Sequence, residues 1–257
     1  MSRWEQLAQL DPLFAVLTHP DKSGGQWDPD EFFETGRSEV DAVIAHLDER
    51  GARQGGKSAL DFGCGPGRLT QALATHFESV VGVDVSPEMV RLAGEFNQYG
   101  DRCRYVVNDR PDLSIFPEPK FDFIFTSKVL QHIPNQQTLV FLREFLRVLR
   151  PGGLLVFQLS IYATVSSRWA WFHQRYKTLR RRLLHKQVWF YLLRSLGFRP
   201  EWLYSKLNLR PLFGMYTFDE TRVATVIRED GGQILDVERA PRRHRMNATF
   251  YVRKQDA

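Results

Sequence analysis

Cysteine is scarce in this chain, which holds two among 257 residues. Cys64 and Cys103 fall inside apparent α/β elements and form no spaced framework, so neither a disulfide-stapled secreted domain nor a CxxC metal site is expected. A reducing, cytoplasmic setting fits that usage. Long uncharged apolar runs are also missing. The segment Met1 to Leu17 carries Glu5 and Asp11 and no continuous apolar stretch, so neither a signal peptide nor a transmembrane helix is expected. No compact group of His, Asp and Glu at ligand spacing stands out, which leaves metal dependence without support.

Acids are nearly absent from one segment. Residues 161–215 hold eleven Lys and Arg against the single acid Glu201, whereas the whole chain carries only +5, so the rest is net negative. The chain as a whole has the composition of a globular protein, with 43% hydrophobic and 25% charged residues and length enough to bury a core without staples. The expectation is one domain over 1–257: an N-terminal helical segment at 1–50, a ligand-binding core at 51–160, a helical cap at 161–215, and a final helix and strands at 216–257.

Hydrophobic periodicity sets the fold class. After a loop rich in Gly, Pro and Asp (19–30), Phe33, Val40, Val43, Ile44 and Leu47 recur near helical spacing and predict a helix over 32–47. Short apolar strands are expected at 58–62, 80–83, 104–107, 121–126 and 154–159, separated by helices starting near Ser86 and Asn135. A helix over 219–228 and strands near 233–239 and 247–253 close the chain. Strands alternating with helices predict an α/β fold, Rossmann-like, with a seven-stranded mainly parallel sheet, helices on both faces and a helical cap inserted after strand five.

The richest local signal follows the first strand. Asp61-Phe62-Gly63-Cys64-Gly65-Pro66-Gly67 places three glycines at alternate positions between strand and helix, where the backbone can pass close to a ligand. Asp84 ends the next strand, seventeen residues beyond Gly67, and a carboxylate there can accept from both hydroxyls of a ribose. The structural alternatives are a tight βα turn for the glycines and, for Asp84, a helix cap before Ser86-Pro87-Glu88, which resembles a helix start. A nicotinamide dehydrogenase would instead carry GxGxxG.

These residues resemble the class I S-adenosylmethionine-dependent methyltransferases, whose first motif is acid-x-Gly-x-Gly-x-Gly and whose second strand ends in a ribose-binding acid. Asn108-Asp109 after the third strand and Arg147-Val148-Leu149-Arg150-Pro151-Gly152-Gly153 before the fifth continue the likeness in the family's order, over roughly residues 30–160. The resemblance implies S-adenosylmethionine as cofactor, with Asp61, Gly63, Cys64, Gly65, Gly67, Asp84, Val85, Met89, Asn108, Asp109, Lys128 and Val129 around it. Trp27 and Arg37 lie in a stretch similar to the family's segment that closes over the cofactor. Arg37 is the candidate cation for the methionine carboxylate, a solvated helix arginine being the alternative, and Trp27 is a cover or a core residue.

Transfer from a sulfonium needs positioning and dryness more than covalent catalysis. An alcohol acceptor must lose a proton, and His132, in Ser127-Lys128-Val129-Leu130-Gln131-His132-Ile133-Pro134, is the candidate general base; holding its own loop is the alternative role. The Asn/Asp-Pro-Pro-Tyr sequence of many nucleic-acid amino methyltransferases is missing, which disfavours DNA bases. Residues 161–215 contain twelve of the thirty-three aromatics, suggesting an acceptor cap with an apolar wall and a cationic rim. An amphipathic helical pair, a membrane surface or an RNA site are the other readings of that segment. The expected activity is methyl transfer to a small-molecule or glycan-like hydroxyl or amine. A catalytically inactive cofactor-binding or interaction protein, or an RNA or lipid methyltransferase, is the alternative, and oligomeric state is left open.

Overall fold

A computed structural model describes residues 3–53, 55–161, 215–242 and 245–256. The chain enters through two short helices, α1 (Arg3–Leu10) and α2 (Pro12–Val16), and then the long α3 (Pro29–Glu49). Helix α3 starts where it does because the Asp28 side chain accepts from the Glu31 N–H while Pro29 occupies the first turn without needing a partner. It then alternates β1 (Ser58–Phe62), α4 (Arg68–Leu73), β2 (Ser79–Asp84), α5 (Pro87–Glu95), β3 (Cys103–Val107), β4 (Phe121–Thr126), α6 (Asn135–Val148) and β5 (Leu149–Ile161). After residues 162–214 the described chain resumes and adds a helix we label α7 (Glu220–Glu229), β6 (Gly232–Arg242) and β7 (Arg245–Lys254). The expected cap at 161–215 lies, but for its end residues, outside the described residues.

The seven strands form one sheet in the order β3-β2-β1-β4-β5-β7-β6. Strands β1 to β5 pair in parallel, and only β7 runs against its neighbours. The mainly parallel, Rossmann-like sheet expected from the alternation is therefore the observed one. Its central strands β1, β2, β4 and β5 are apolar on both faces because both are covered, with side chains sorting by the two-residue period. Leu60, Val81, Ile124, Leu155, Phe157 and Phe250 pack with Leu142 and Leu146 of α6 and Ile227 of α7. Ala59, Val80, Phe123, Phe125 and Val156 pack with Val40 and Ile44 of α3 and Leu73 of α4.

One boundary differs from expectation. Pro151-Gly152-Gly153 does not separate helix from strand, because Leu149 already pairs with Phe121 before the turn and Leu154 pairs with Phe123 after it. The turn is an irregularity within β5, with Gly152 at φ 74°, and the pairing with β4 shifts register across it.

The order 3-2-1-4-5 places the topological switch between β1 and β4. From β1 the chain steps outward to β2 and β3, then crosses back to β4 on the other side. The carboxyl ends of β1 and β4 thus open a crevice where open α/β sheets receive their ligands.

Candidate cofactor crevice

The floor of the crevice is the loop after β1. Gly63, Gly65 and Gly67 all have positive φ, at 78°, 52° and 91°, which side chains with a Cβ adopt only under strain. Close approach is also required, and here the neighbours belong to the chain itself. A Cβ on Gly63 would lie 2.3 Å from Val129 Cγ2, one on Gly65 3.0 Å from Val16 Cγ2, and one on Gly67 2.8 Å from the Tyr105 hydroxyl. The Gly63 and Cys64 N–H groups donate to the Val83 carbonyl at 2.7 and 3.0 Å, pinning the loop to β2. Cys64 is buried, and burial pushes its thiol well above the usual range, so it serves as packing and not as a nucleophile.

On the β2 side stands Asp84. Its Oδ2 accepts from the Gly65 N–H at 2.9 Å and its Oδ1 from the Ser86 N–H at 2.9 Å. Each oxygen keeps a lone pair for a further donor, the requirement for gripping a vicinal diol. Burial pushes the Asp84 carboxyl up, the N–H bonds of Ser86 and Gly65 oppose that, and the nearby Glu5 carboxylate adds to it. Ser86 caps α5 by accepting from the Met89 N–H at 3.2 Å, so the cap of this helix is Ser86 and not Asp84. At the ends of β2 and β3, Val85 and Val107 are 40% and 39% exposed, two apolar surfaces on adjacent strands suited to a flat heterocycle. Asn108 is turned to its own loop, donating to the Asp112 carbonyl at 2.8 Å and accepting from the Arg110 N–H at 3.3 Å, while Asp109 is exposed.

On the β4 side the loop Ser127 to Ile133 rises beside the glycines. Lys128 has φ 64°, the one positive value at a residue other than glycine among the described residues. Its Nζ lies 2.7 Å from Glu39 Oε2, and the same oxygen takes the Arg68 Nη2 at 2.8 Å. Ser127 Oγ donates to the other oxygen of Glu39. Burial would raise the Glu39 carboxyl, but the charges of Arg68 and Lys128 together with the Lys128 and Ser127 hydrogen bonds outweigh it and hold it at about 2. Asp61 goes the other way. It is fully buried, bonded to the Thr70 hydroxyl at 2.7 Å, and burial raises it to about 7 despite Thr70 and Arg68.

His132 closes a short 3₁₀ turn, Leu130–His132, on this same loop. The Gln131 Nε2 is 3.3 Å from its Nε2, and the Trp4 ring meets it edge-on with centroids 5.2 Å apart. Trp4 and its neighbour Glu5 show what α1 does. Glu5 Oε2 accepts from Ser86 Oγ at 2.5 Å and from the Glu88 N–H at 3.3 Å, so α1 bridges the loops after β2 and β4 across the crevice. Met89 is buried beneath it with Ala8 and Ala15.

The two other expected cofactor residues sit farther out on the N-terminal side. Trp27 donates its Nε1 to the Leu17 carbonyl at 3.0 Å and packs edge-on against Phe32, anchoring the segment before α3. Arg37 faces outward from α3 and pairs with Glu34 at 3.4 Å, along a surface hollow of about 470 Å³ shared with Arg68, Gln71 and Tyr99. Sequence reasoning missed Trp4, Glu5, Val16, Glu39 and Arg68. Arg68 directly follows the third glycine and carried a positional signal, whereas the others reach the crevice through folding alone.

Among the described residues no helix is long and apolar enough to cross a membrane, and no three His, Cys, Asp or Glu gather to hold a metal ion. Residues 59–153 match the family model described as a methyltransferase domain. The 2-methyl-6-phytyl-1,4-hydroquinone methyltransferase of Synechocystis is 36% identical over 102 residues, covering 39% of this chain and 31% of that one. The ubiquinone biosynthesis O-methyltransferase of Xanthomonas oryzae is 32% identical over 117 residues, covering 45% of this chain and 46% of that one. The chain therefore matches less than half the length of these curated relatives. Among solved structures, magnesium protoporphyrin IX methyltransferase from Synechocystis with bound S-adenosylhomocysteine superposes with a TM-score of 0.57 at 19% identity, covering 91% of each chain.

Proposed function

We propose that this chain is an S-adenosylmethionine-dependent methyltransferase acting on a small-molecule hydroxyl or amine, a reading supported by the match of residues 59–153 to the methyltransferase-domain model and by the strand order of the sheet. The observation that carries the reading is the pairing of three left-handed glycines after β1 with Asp84 at the end of β2, at the switch point of the sheet. The residues fit the cofactor: Asp84 keeps acceptor capacity for a ribose diol, and Val85 with Val107 offers apolar surface to an adenine.

When bound, the sulfonium supplies an electrophilic methyl group, and what is left to the protein is to orient the acceptor and keep water out. Helix α1 serves the second task by spanning the crevice from Glu5 to Trp4. His132 serves as the base that takes the acceptor proton, held in place by Gln131 and Trp4. The named relatives act on a hydroquinone, in ubiquinone biosynthesis and on a metalloporphyrin, all small molecules, which favours that acceptor class over glycan, nucleic acid or membrane surface. The basic aromatic segment 161–215 is the part of the sequence suited to cover such an acceptor. The absence of spaced cysteines favours a cytoplasmic setting.

Calorimetry with S-adenosylhomocysteine tests binding, and transfer of labelled methyl from S-adenosylmethionine into cell extract tests turnover and identifies the acceptor by mass spectrometry. Heat with the nucleoside but no labelled product across extracts and acceptor panels would favour a binding protein of the same fold. His132→Ala is expected to lower turnover by about a hundredfold or more, the usual share of a general base, with cofactor affinity unchanged. Full turnover in that variant removes His132 from the chemistry.

A further inference from the structure

We infer that Glu39 is a positioning residue of the crevice: its carboxylate ties α3, the helix after the glycine loop and the loop after β4 into one wall, which holds the part of the cofactor beyond its nucleoside. This rests on the methyltransferase reading for the identity of the cofactor, but the wall itself is visible without it.

Three segments distant in sequence converge on Glu39. Arg68 opens α4 and is 2% exposed, so its guanidinium is held almost wholly inside the protein, within reach of Glu39 Oε2 at 2.8 Å and Thr35 Oγ1 at 3.3 Å. Ser127 and Lys128 come from the β4 loop, and both reach the same carboxylate. The approach between α3 and α4 is close enough to require Gly36, where a Cβ would lie 2.4 Å from the Arg68 carbonyl oxygen. Glu39 therefore sits where α3 cannot slide without parting from α4.

Lys128 gives the wall its function. A lysine at φ 64° is held against its own backbone preference, and such strain persists only where surrounding contacts fix it. The Glu39 carboxylate is one of those contacts. The residue after Lys128 is Val129, whose methyl groups lie over Gly63. The left-handed turn at Lys128 thus sets how closely the β4 loop approaches the glycine floor. The site for the nucleoside is on the β2 side at Asp84, so a ligand lying over the glycines extends toward β4 and meets this wall with its other end. Arg68 and Lys128 bring cationic groups to this wall, the chemistry that suits an end carrying a carboxylate.

The test compares two nucleosides on the full-length chain. S-adenosylhomocysteine has the amino-acid end, and 5′-methylthioadenosine lacks it. Glu39→Gln is expected to weaken S-adenosylhomocysteine by about tenfold or more, the scale of a lost charged hydrogen bond, and to leave methylthioadenosine within about twofold. In the ligand-free protein, hydrogen exchange of residues 127–133 is expected to rise by a similar factor, with the core strands unchanged. Where Glu39→Gln fails to unfold cooperatively, Lys128→Met carries the same comparison. Unchanged affinity for S-adenosylhomocysteine, equal weakening of both nucleosides, or unchanged loop exchange each overturns the assignment. If the wild-type chain binds neither nucleoside, the methyltransferase reading fails, and the exchange experiment alone decides whether Glu39 holds the loop.

Discussion

The two banks of the crevice are built in different ways. On the β2 bank, Asp84 is gripped by backbone N–H groups of residues near it or in the glycine loop, at Gly65 and Ser86. On the β4 bank, Glu39 is gripped by side chains drawn from separate elements, Arg68, Ser127 and Lys128. A backbone-held carboxylate follows once strand and loop have formed, and its position is hard to alter by substitution of its donors. A side-chain hub exists only after packing and depends on each contributor. The first bank is thus robust to single substitutions, whereas the second can be adjusted one contact at a time.

The largest loss of binding is expected at Asp84. Asp84→Ala leaves the Gly65 and Ser86 N–H groups without their acceptor, and affinity for S-adenosylhomocysteine and methylthioadenosine is expected to fall together by about a hundredfold, as calorimetry would register. A loss confined to S-adenosylhomocysteine would mean that the nucleoside is not held on this bank.

Acidity sharpens the contrast next. Glu39 is held at about 2, so its contribution to stability is present above the ordinary carboxylate range and lost as pH falls toward 2. Asp61 is raised to about 7 by burial, so the folded chain keeps a proton that the unfolded chain gives up near 3.8, and this contribution is lost as pH rises through about 7. Asp61→Asn, which mimics the protonated acid, is expected to raise the melting temperature at pH 8 by about 4 °C, with the gain vanishing toward pH 4. A gain that is independent of pH would show that Asp61 is already ionised without penalty.

The smallest effect is expected at Arg37. Its partner Glu34 is also on the exposed face of α3, and a surface pair of this kind contributes at most about 1 kcal/mol. Arg37→Ala is expected to change affinity for S-adenosylhomocysteine by less than about twofold, and a tenfold loss by the same calorimetry would move the carboxylate contact from the Glu39 wall to Arg37.

Most of the sheet was legible because its signals are local. Strands 58–62 and 121–126 were expected at the ends where they occur, and Ser86-Pro87 marked a helix start through capping chemistry that needs no distant partner, while the helix expected over 219–228 begins at Glu220 with Asp219 as its cap. The Pro-Gly-Gly turn was read as a boundary because nothing nearby reveals that Leu149 pairs with Phe121. The glycines were legible as a turn, but not for whom they make room, since Val129, Val16 and Tyr105 arrive from far along the chain.

What the sequence by itself determined is the alternation of strands and helices, the left-handed loop after β1 and the acid that ends β2, because backbone conformation and hydrophobic period are settled over a few residues. What only the tertiary structure decided is the company each side chain keeps: Glu39 beside Lys128, Glu5 on Ser86, Trp4 against His132. Those pairs are separated by about eighty residues or more, in the first two cases by 89 and 81, and no local preference encodes a contact that exists only when the sheet has brought its strand ends together.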